Sequence, residues 1–306
     1  MIRNYWNRLP IPSGCVALGL IGLGTLLGAY SRLFLFLLGA PSLVIQIGVL
    51  LKLPGRGGLK RLYADRISLS TFAGTSMAMM QTAAPLRTVL HLRIAALYWG
   101  AGLLLHLVLM VAFSVKLLRE RTALADVRGS WLLVYVGIAA AAISAPAFSA
   151  EIVGRILLIP AALGAVVLLP LIYRADRHDP ILQAQRPLFC ITAAPISIWL
   201  VGYLSSAQRP SESLVLVLLI LSQLLYLPAL LRFFQTFRGL FAPSFAAFSF
   251  PFVIVATACK KAAAFLTFTA PMRLLIQVEI ASALVFCAFT VWKYCRFLSA
   301  GEKAAA

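Results

Sequence analysis

The chain has 306 residues, 62% of them hydrophobic and 12% charged, whereas soluble domains run nearer half apolar and a quarter charged, so the composition excludes a soluble globular protein and points to a membrane. Lys and Arg outnumber Asp and Glu by 27 to 9, but the basic residues fall in short gaps between apolar runs, the pattern of membrane topology and not of a nucleic-acid-binding patch. The cysteines (Cys15, Cys190, Cys259, Cys287, Cys295) and histidines (His91, His106, His178) have no metal-ligand spacing; reduced packing cysteines, no metal and no cofactor are expected.

Apolar runs long enough to cross a bilayer, about 20 residues each, lie at 14–31, 33–53, 67–85, 94–117, 131–148, 152–173, 187–205, 212–231, 241–259 and 274–295. They predict an all-α integral membrane protein of ten transmembrane helices, one domain over residues 1–306. The first run follows Arg3 and Arg8 as a signal peptide would, but it has no small-residue cleavage site and is expected to be retained. It carries Gly14, Gly19, Gly22 and Gly24; the third carries Ser68, Ser70, Thr71, Gly74, Thr75 and Ser76. The fifth has Ser144 and Pro146, the seventh Thr192, Pro195 and Ser197, and the ninth Ser249, Pro251 and Thr257. The even runs are richer in Leu, Ile and Val, as in "LVLVLLILSQLLYL". Small and polar residues of this kind let helices pack closely. Their concentration in all five odd runs also suggests an inner ring of kinked, weakly polar helices around a pore, with the even helices outside.

Orientation follows from the basic residues. With the N-terminus inside, cytoplasmic segments hold 19 of the 27, so both termini are expected in the cytoplasm. The external gaps are short, as around 32 and 149–151, which predicts five outward-pointing hairpins. "PGRGGLKR", residues 54–61, is glycine-rich and basic but has no phosphate-loop pattern; topology and contact with anionic lipid headgroups are its expected roles.

Four stretches resemble a known family. "RLPIPSGCVALGLIGLG" (8–24) is similar to its opening motif, "RISLSTFAGTSMAMM" (66–80) to its third helix, "ITAAPISIWLVGYLS" (191–205) to its seventh, and "AFSFPFVIVATA" (247–258) to the Phe-Ser-Phe core of its ninth. The family is that of the tellurite-resistance protein TehA and the dicarboxylate transporters, related to the plant slow anion channels. The resemblance implies a multi-pass protein of the bacterial inner membrane and a homotrimer. Within each subunit the odd helices would line a pore that conducts small inorganic or organic anions, and tellurite resistance is one role of this kind. It also implies that Phe250 is an aromatic plug. Two positions depart from the pattern: Gly74 stands where a proline is expected and Pro251 where a glycine is.

A phenylalanine about nine residues into a helix of roughly 1.5 Å rise lies near the bilayer midplane, where Phe250 either closes a narrow tube or packs on a neighbour. Ser249, Pro251, Thr257, Pro195, Thr192, Gly74 and Ser144 are the candidate pore-lining residues. Lys261 follows Phe250 by eleven residues, about 20° around an ideal wheel, which puts it at the outer mouth to attract anions or turns it to the lipid interface. Of the acids only Glu279 falls well within a span. Such scarcity favours a passive conduit over the alternative, a proton-coupled dicarboxylate carrier. No nucleophile, base and acid converge, so no enzyme is expected.

Overall fold

The computed structural model describes residues 8–55, 57–178, 182–267 and 270–299, and helix is the only regular structure among them. Arg3, Arg56 and Lys303, three of the basic residues counted above, lie outside the described residues.

Helical segments stand at all ten expected positions. They are α1 (Ser13–Gly28), α2 (Arg32–Leu50), α3 (Arg66–Leu86), α4 (Leu92–Arg119), α5 (131–148), α6 (Glu151–His178), α7 (Gln183–Ser206), α8 (Glu212–Thr236), α9 (Pro243–Phe265) and α10 (Ala270–Ser299). Among the described residues seven are long and apolar enough to cross a membrane: α2, α4, α6, α7, α8, α9 and α10. Helix α1 and the Ala139–Phe148 part of α5 are apolar but shorter. Helix α3 has the length, but its serines and threonines keep it less apolar.

The odd helices close on one another in the order α1, α3, α5, α7, α9 and back to α1. Each even helix packs on its own odd partner and on the next odd helix, so α2 covers the α1–α3 seam and α10 the α9–α1 seam. Burial follows this arrangement: 72% of the apolar window of α7 and 83% of that of α9 are buried, against 22% for α2 and 33% for α8. The outer helices leave Leu97, Leu104, Val108, Ile159, Val166 and Leu231 exposed, as lipid-facing helices do.

Three of the odd helices, α5, α7 and α9, are interrupted, whereas α1, α3 and the even helices are continuous. Helix α5 is two short α-helical pieces and a 3-10 turn, Trp131–Tyr135, Ala139–Ser144 and Ala145–Phe148. Helix α7 begins as a 3-10 helix, Gln183–Ala193, and becomes α-helical at Ala194–Ser206. Helix α9 does the same, from Pro243–Phe248 to Phe250–Phe265, with Ser249 at φ −89°, ψ −85° between them. Pro195 and Pro251 sit in the first turn of the second halves. A proline there lacks only an N–H that would have been unpaired anyway. Pro251 thus begins a helix and does not kink one.

Glycine permits the inner contacts. A Cβ on Gly74 would lie 2.4 Å from Cys15 Sγ, and one on Gly14 2.1 Å from Thr75 Oγ1, so α1 and α3 touch backbone to backbone. A Cβ on Gly19 would lie 2.5 Å from Ser249 Cβ, which brings α1 equally close to α9.

Candidate pore and gate

The three phenylalanines around the α9 break point two ways. Phe248 packs on Phe233 of α8 at 4.9 Å between ring centres, and Phe252 on Phe286 of α10 at 4.7 Å. Both rings belong to the aromatic cluster under the outer helices. Positions two apart on a helix lie about 200° from each other, so Phe250 turns the opposite way, into the inner ring. Its side chain lies against α1, where a Cβ on Gly22 would be 3.6 Å from Phe250 Cδ2. It also walls a small cavity with Met77 of α3, Leu133 and Val136 of α5, and Ala194, Pro195 and Ile198 of α7. One aromatic ring therefore lies against α1 and shares a cavity with α3, α5 and α7.

That cavity is about 10 Å³ and has no polar side chain in its wall, scarcely enough for a single water, which needs roughly 10–15 Å³. The weakly polar tube expected from the sequence is apolar at this level. The hydroxyls are turned into helix seams. Ser249 Oγ donates to the Ala246 carbonyl (2.7 Å) or across to the Cys15 carbonyl (3.0 Å). Ser144 Oγ accepts from Trp99 Nε1 of α4 at 3.0 Å. Thr192 donates to the Phe189 carbonyl and Thr257 to the Val253 carbonyl, each at 2.8 Å. Gly74 lies at the α1–α3 contact. Of the expected lining residues the structure brings Pro195 together with Phe250 around the cavity, with Ser249 and Pro251 as chain neighbours.

Sequence reading missed the rest of the wall, since Met77, Val136 and Ile198 look like any apolar helix residue. It also missed His106, which is fully buried in mid α4 and not at a helix end. His106 Nε2 faces the Val134 carbonyl of α5 at 3.0 Å and therefore carries a proton, while Nδ1 lies 2.8 Å from Ser76 Oγ of α3. It buttresses the wall from behind: Gly137 has room for no side chain, because a Cβ there would lie 2.6 Å from Met77 Sδ and 3.0 Å from His106 Cε1.

On one side of this layer, at the starts of α1, α3, α7 and α9, a chamber of about 960 Å³ opens, with Arg8, Lys52, Arg61 and Asp65 in its wall. Ser13 Oγ of α1 and Thr75 Oγ1 of α3 are buried with no hydrogen-bond partner among the described residues. On the other side the inner helices end. Their C-terminal carbonyls carry partial negative charge, which cations relieve, and four cations are there. Lys260 donates to the Leu26 carbonyl at 3.3 Å and lies 4.3 Å from the Tyr30 ring centre. Lys261 donates to Ser205 Oγ at 2.9 Å. Arg87 donates to the Ala147 carbonyl. Arg155 donates to the Ser206 carbonyl at 2.9 Å. Glu279 is buried in α10 and takes no part in the cavity wall. All five cysteines are free, and no cluster of metal-binding side chains exists among the described residues.

Five inner helices closed around one aromatic ring, inside a coat of apolar helices, have the architecture of a membrane transport protein. Residues 9–299 match the family described as voltage-dependent anion channel, and the chain belongs to that family. No curated protein matches the sequence.

Proposed function

We propose that the chain conducts small anions through a pore of its own, bounded by the five odd helices and closed by Phe250. Ten crossings with both termini in the cytoplasm fit the basic-residue asymmetry and place the large chamber on the cytoplasmic side and the four cations outside. A bacterial inner membrane and a homotrimer are parts of the same reading. The observation that carries it is the direction of Phe250: Phe248 and Phe252 enter the aromatic packing under α8 and α10, while Phe250 alone of the three enters the ring of α1, α3, α5 and α7.

The gate is hydrophobic as well as steric. Ions do not cross a dry apolar constriction, so Met77, Val136 and Ile198 resist conduction together with the ring. Opening requires the ring to move and the layer to wet. Purified protein in liposomes, tested against chloride, nitrate, tellurite and small dicarboxylates, is the direct experiment. Phe250→Ala is expected to raise anion flux. A folded Phe250→Ala protein as closed as the wild type, with wild-type flux itself absent for every anion, would end this reading. Since Glu279 is remote from the cavity, Glu279→Gln is expected to retain flux, and flux to follow the anion gradient without stoichiometric proton movement. Uphill uptake driven by a pH gradient would select the proton-coupled carrier.

A further inference from the structure

The chamber at the starts of the odd helices has three cations, Arg8, Lys52 and Arg61, and one acid, Asp65, in its wall. Asp65 is the N-cap of α3, and its carboxylate accepts from the Ile67 and Ser68 amides at 3.2 and 2.8 Å. That carboxylate serves the helix end. Lys52 donates to the Leu9 carbonyl. The guanidinium groups of Arg8 and Arg61 have no hydrogen-bond or ion-pair partner among the described residues. On the same face Arg66 and Lys116 are engaged by Glu120, and Arg232 by Asp176.

The basic loop is built to bring Arg61 there. Gly57 has φ +76° and caps a short helix, Gly58–Ala64, and a Cβ on Gly58 would lie 2.2 Å from the Lys52 carbonyl oxygen. Only glycine takes both positions without strain. The fold-back puts Arg61 in the same chamber wall as the segment Arg8–Pro12. At about 960 Å³ the space is that of a small-molecule site, roughly 300–1,000 Å³. The N-termini of the inner helices add positive potential, and guanidinium forks match the oxygens of carboxylates and phosphates.

We propose that this chamber binds a multivalent oxyanion, a polyphosphate or a dicarboxylate, through Arg8 and Arg61, and that the occupied chamber blocks the pore from this end. The block rests on the pore reading above; the binding does not. Calorimetry on the protein in neutral-lipid nanodiscs, with pyrophosphate and malonate as probes, tests the site and separates the two anion types. Saturable binding of at least one probe is expected, weakened roughly tenfold or more when both charge-assisted contacts are lost in Arg8→Gln with Arg61→Gln, and weakened by salt. Arg61→Lys keeps the charge without the fork and is expected to fall between. Arg61 is exposed and Arg8 half-buried, so the variants are expected to fold, which their thermal transitions check. No binding of either probe to the wild type, or binding unchanged in the double variant, overturns the site. In liposomes the bound probe is expected to inhibit anion flux from one side only. Inhibition from both sides, or from neither, overturns the block and leaves the site. Binding with no wild-type flux for any anion supports the site and refutes the pore reading.

Discussion

The inner and outer helices obey opposite rules. Helices α2, α4, α6, α8 and α10 are long and aliphatic, and no more than a third of their apolar windows is buried. Helices α7 and α9 are less apolar, broken by 3-10 turns, and largely buried. In water the most apolar helix goes to the centre; in lipid the most apolar helix is free to stay outside, and polar or interrupted backbone must be covered by protein. Depth in α7 and α9 is therefore marked by weaker hydropathy and by proline in a first turn.

The largest effect that would sharpen the contrast concerns two phenylalanines of one helix. Phe248 is fully buried among Phe233, Phe245 and Phe289, and truncating such a ring costs about 3–5 kcal/mol. Phe250 borders a cavity and is expected to cost less on truncation while raising flux. Thermal unfolding of Phe248→Ala and Phe250→Ala, with liposome flux for both, reads the difference. Equal destabilisation with no gain of flux would make Phe250 ordinary core.

A pair of glycines comes next. Gly74→Ala drives a methyl to within 2.4 Å of Cys15 Sγ and 2.9 Å of the Cys15 amide nitrogen, an overpacking that typically costs about 1–3 kcal/mol. Gly100, on α4, has nothing within 4 Å of the corresponding position. There alanine gains helix propensity, up to about 1 kcal/mol. Opposite signs in a thermal scan are expected, and a like sign would break the two-layer account.

How much of this was legible follows from the same physics. Runs of apolar residues and the odd–even partition are properties of local composition, and the helices stand where the runs predicted. Phe250 stood out because a Phe-Ser-Phe-Pro stretch makes no sense against lipid. The polar lining did not follow, since a hydroxyl on an inner helix serves a neighbouring seam as readily as an axis: Ser144 meets Trp99 and Ser249 meets α1. Nor did the apolar wall or the buttress of His106, because which face of a broken helix points inward depends on where the break falls. Arg87 gave no sequence signal beyond being a basic residue in a gap.

A smaller effect is expected at the rim opposite the chamber. If Lys261 raises the local anion concentration, Lys261→Glu lowers flux, and does so less at high salt, where screening shortens the field to about 3 Å at 1 M. Lys260 is held by the Leu26 carbonyl and the Tyr30 ring, so Lys260→Glu is expected to loosen the α1–α9 end, lowering the thermal transition more than the flux. Identical flux losses at both positions would assign the effect to rim charge in general.

The smallest expected effect lies where the two layers are tied by charge. Arg66 begins inner helix α3 and bonds Glu120 at 2.5 Å and Asp126 at 2.9 Å; Lys116, on outer helix α4, bonds the same Glu120 at 2.5 Å. Lys116 first and then Arg66 hold the Glu120 carboxyl below its ordinary range. A carboxyl lowered in the folded state contributes stability that is present above its unfolded value, near pH 4.3 for Glu, and lost as pH falls through the lower folded value. The group is exposed and salt-screened, so the contribution is small. Thermal unfolding of Glu120→Gln is expected to fall slightly below wild type at pH 7, and the gap to close at low pH. A gap that persists unchanged in strong acid would mean that Glu120 holds the layers by packing and hydrogen-bond geometry, and that charge adds nothing to the junction.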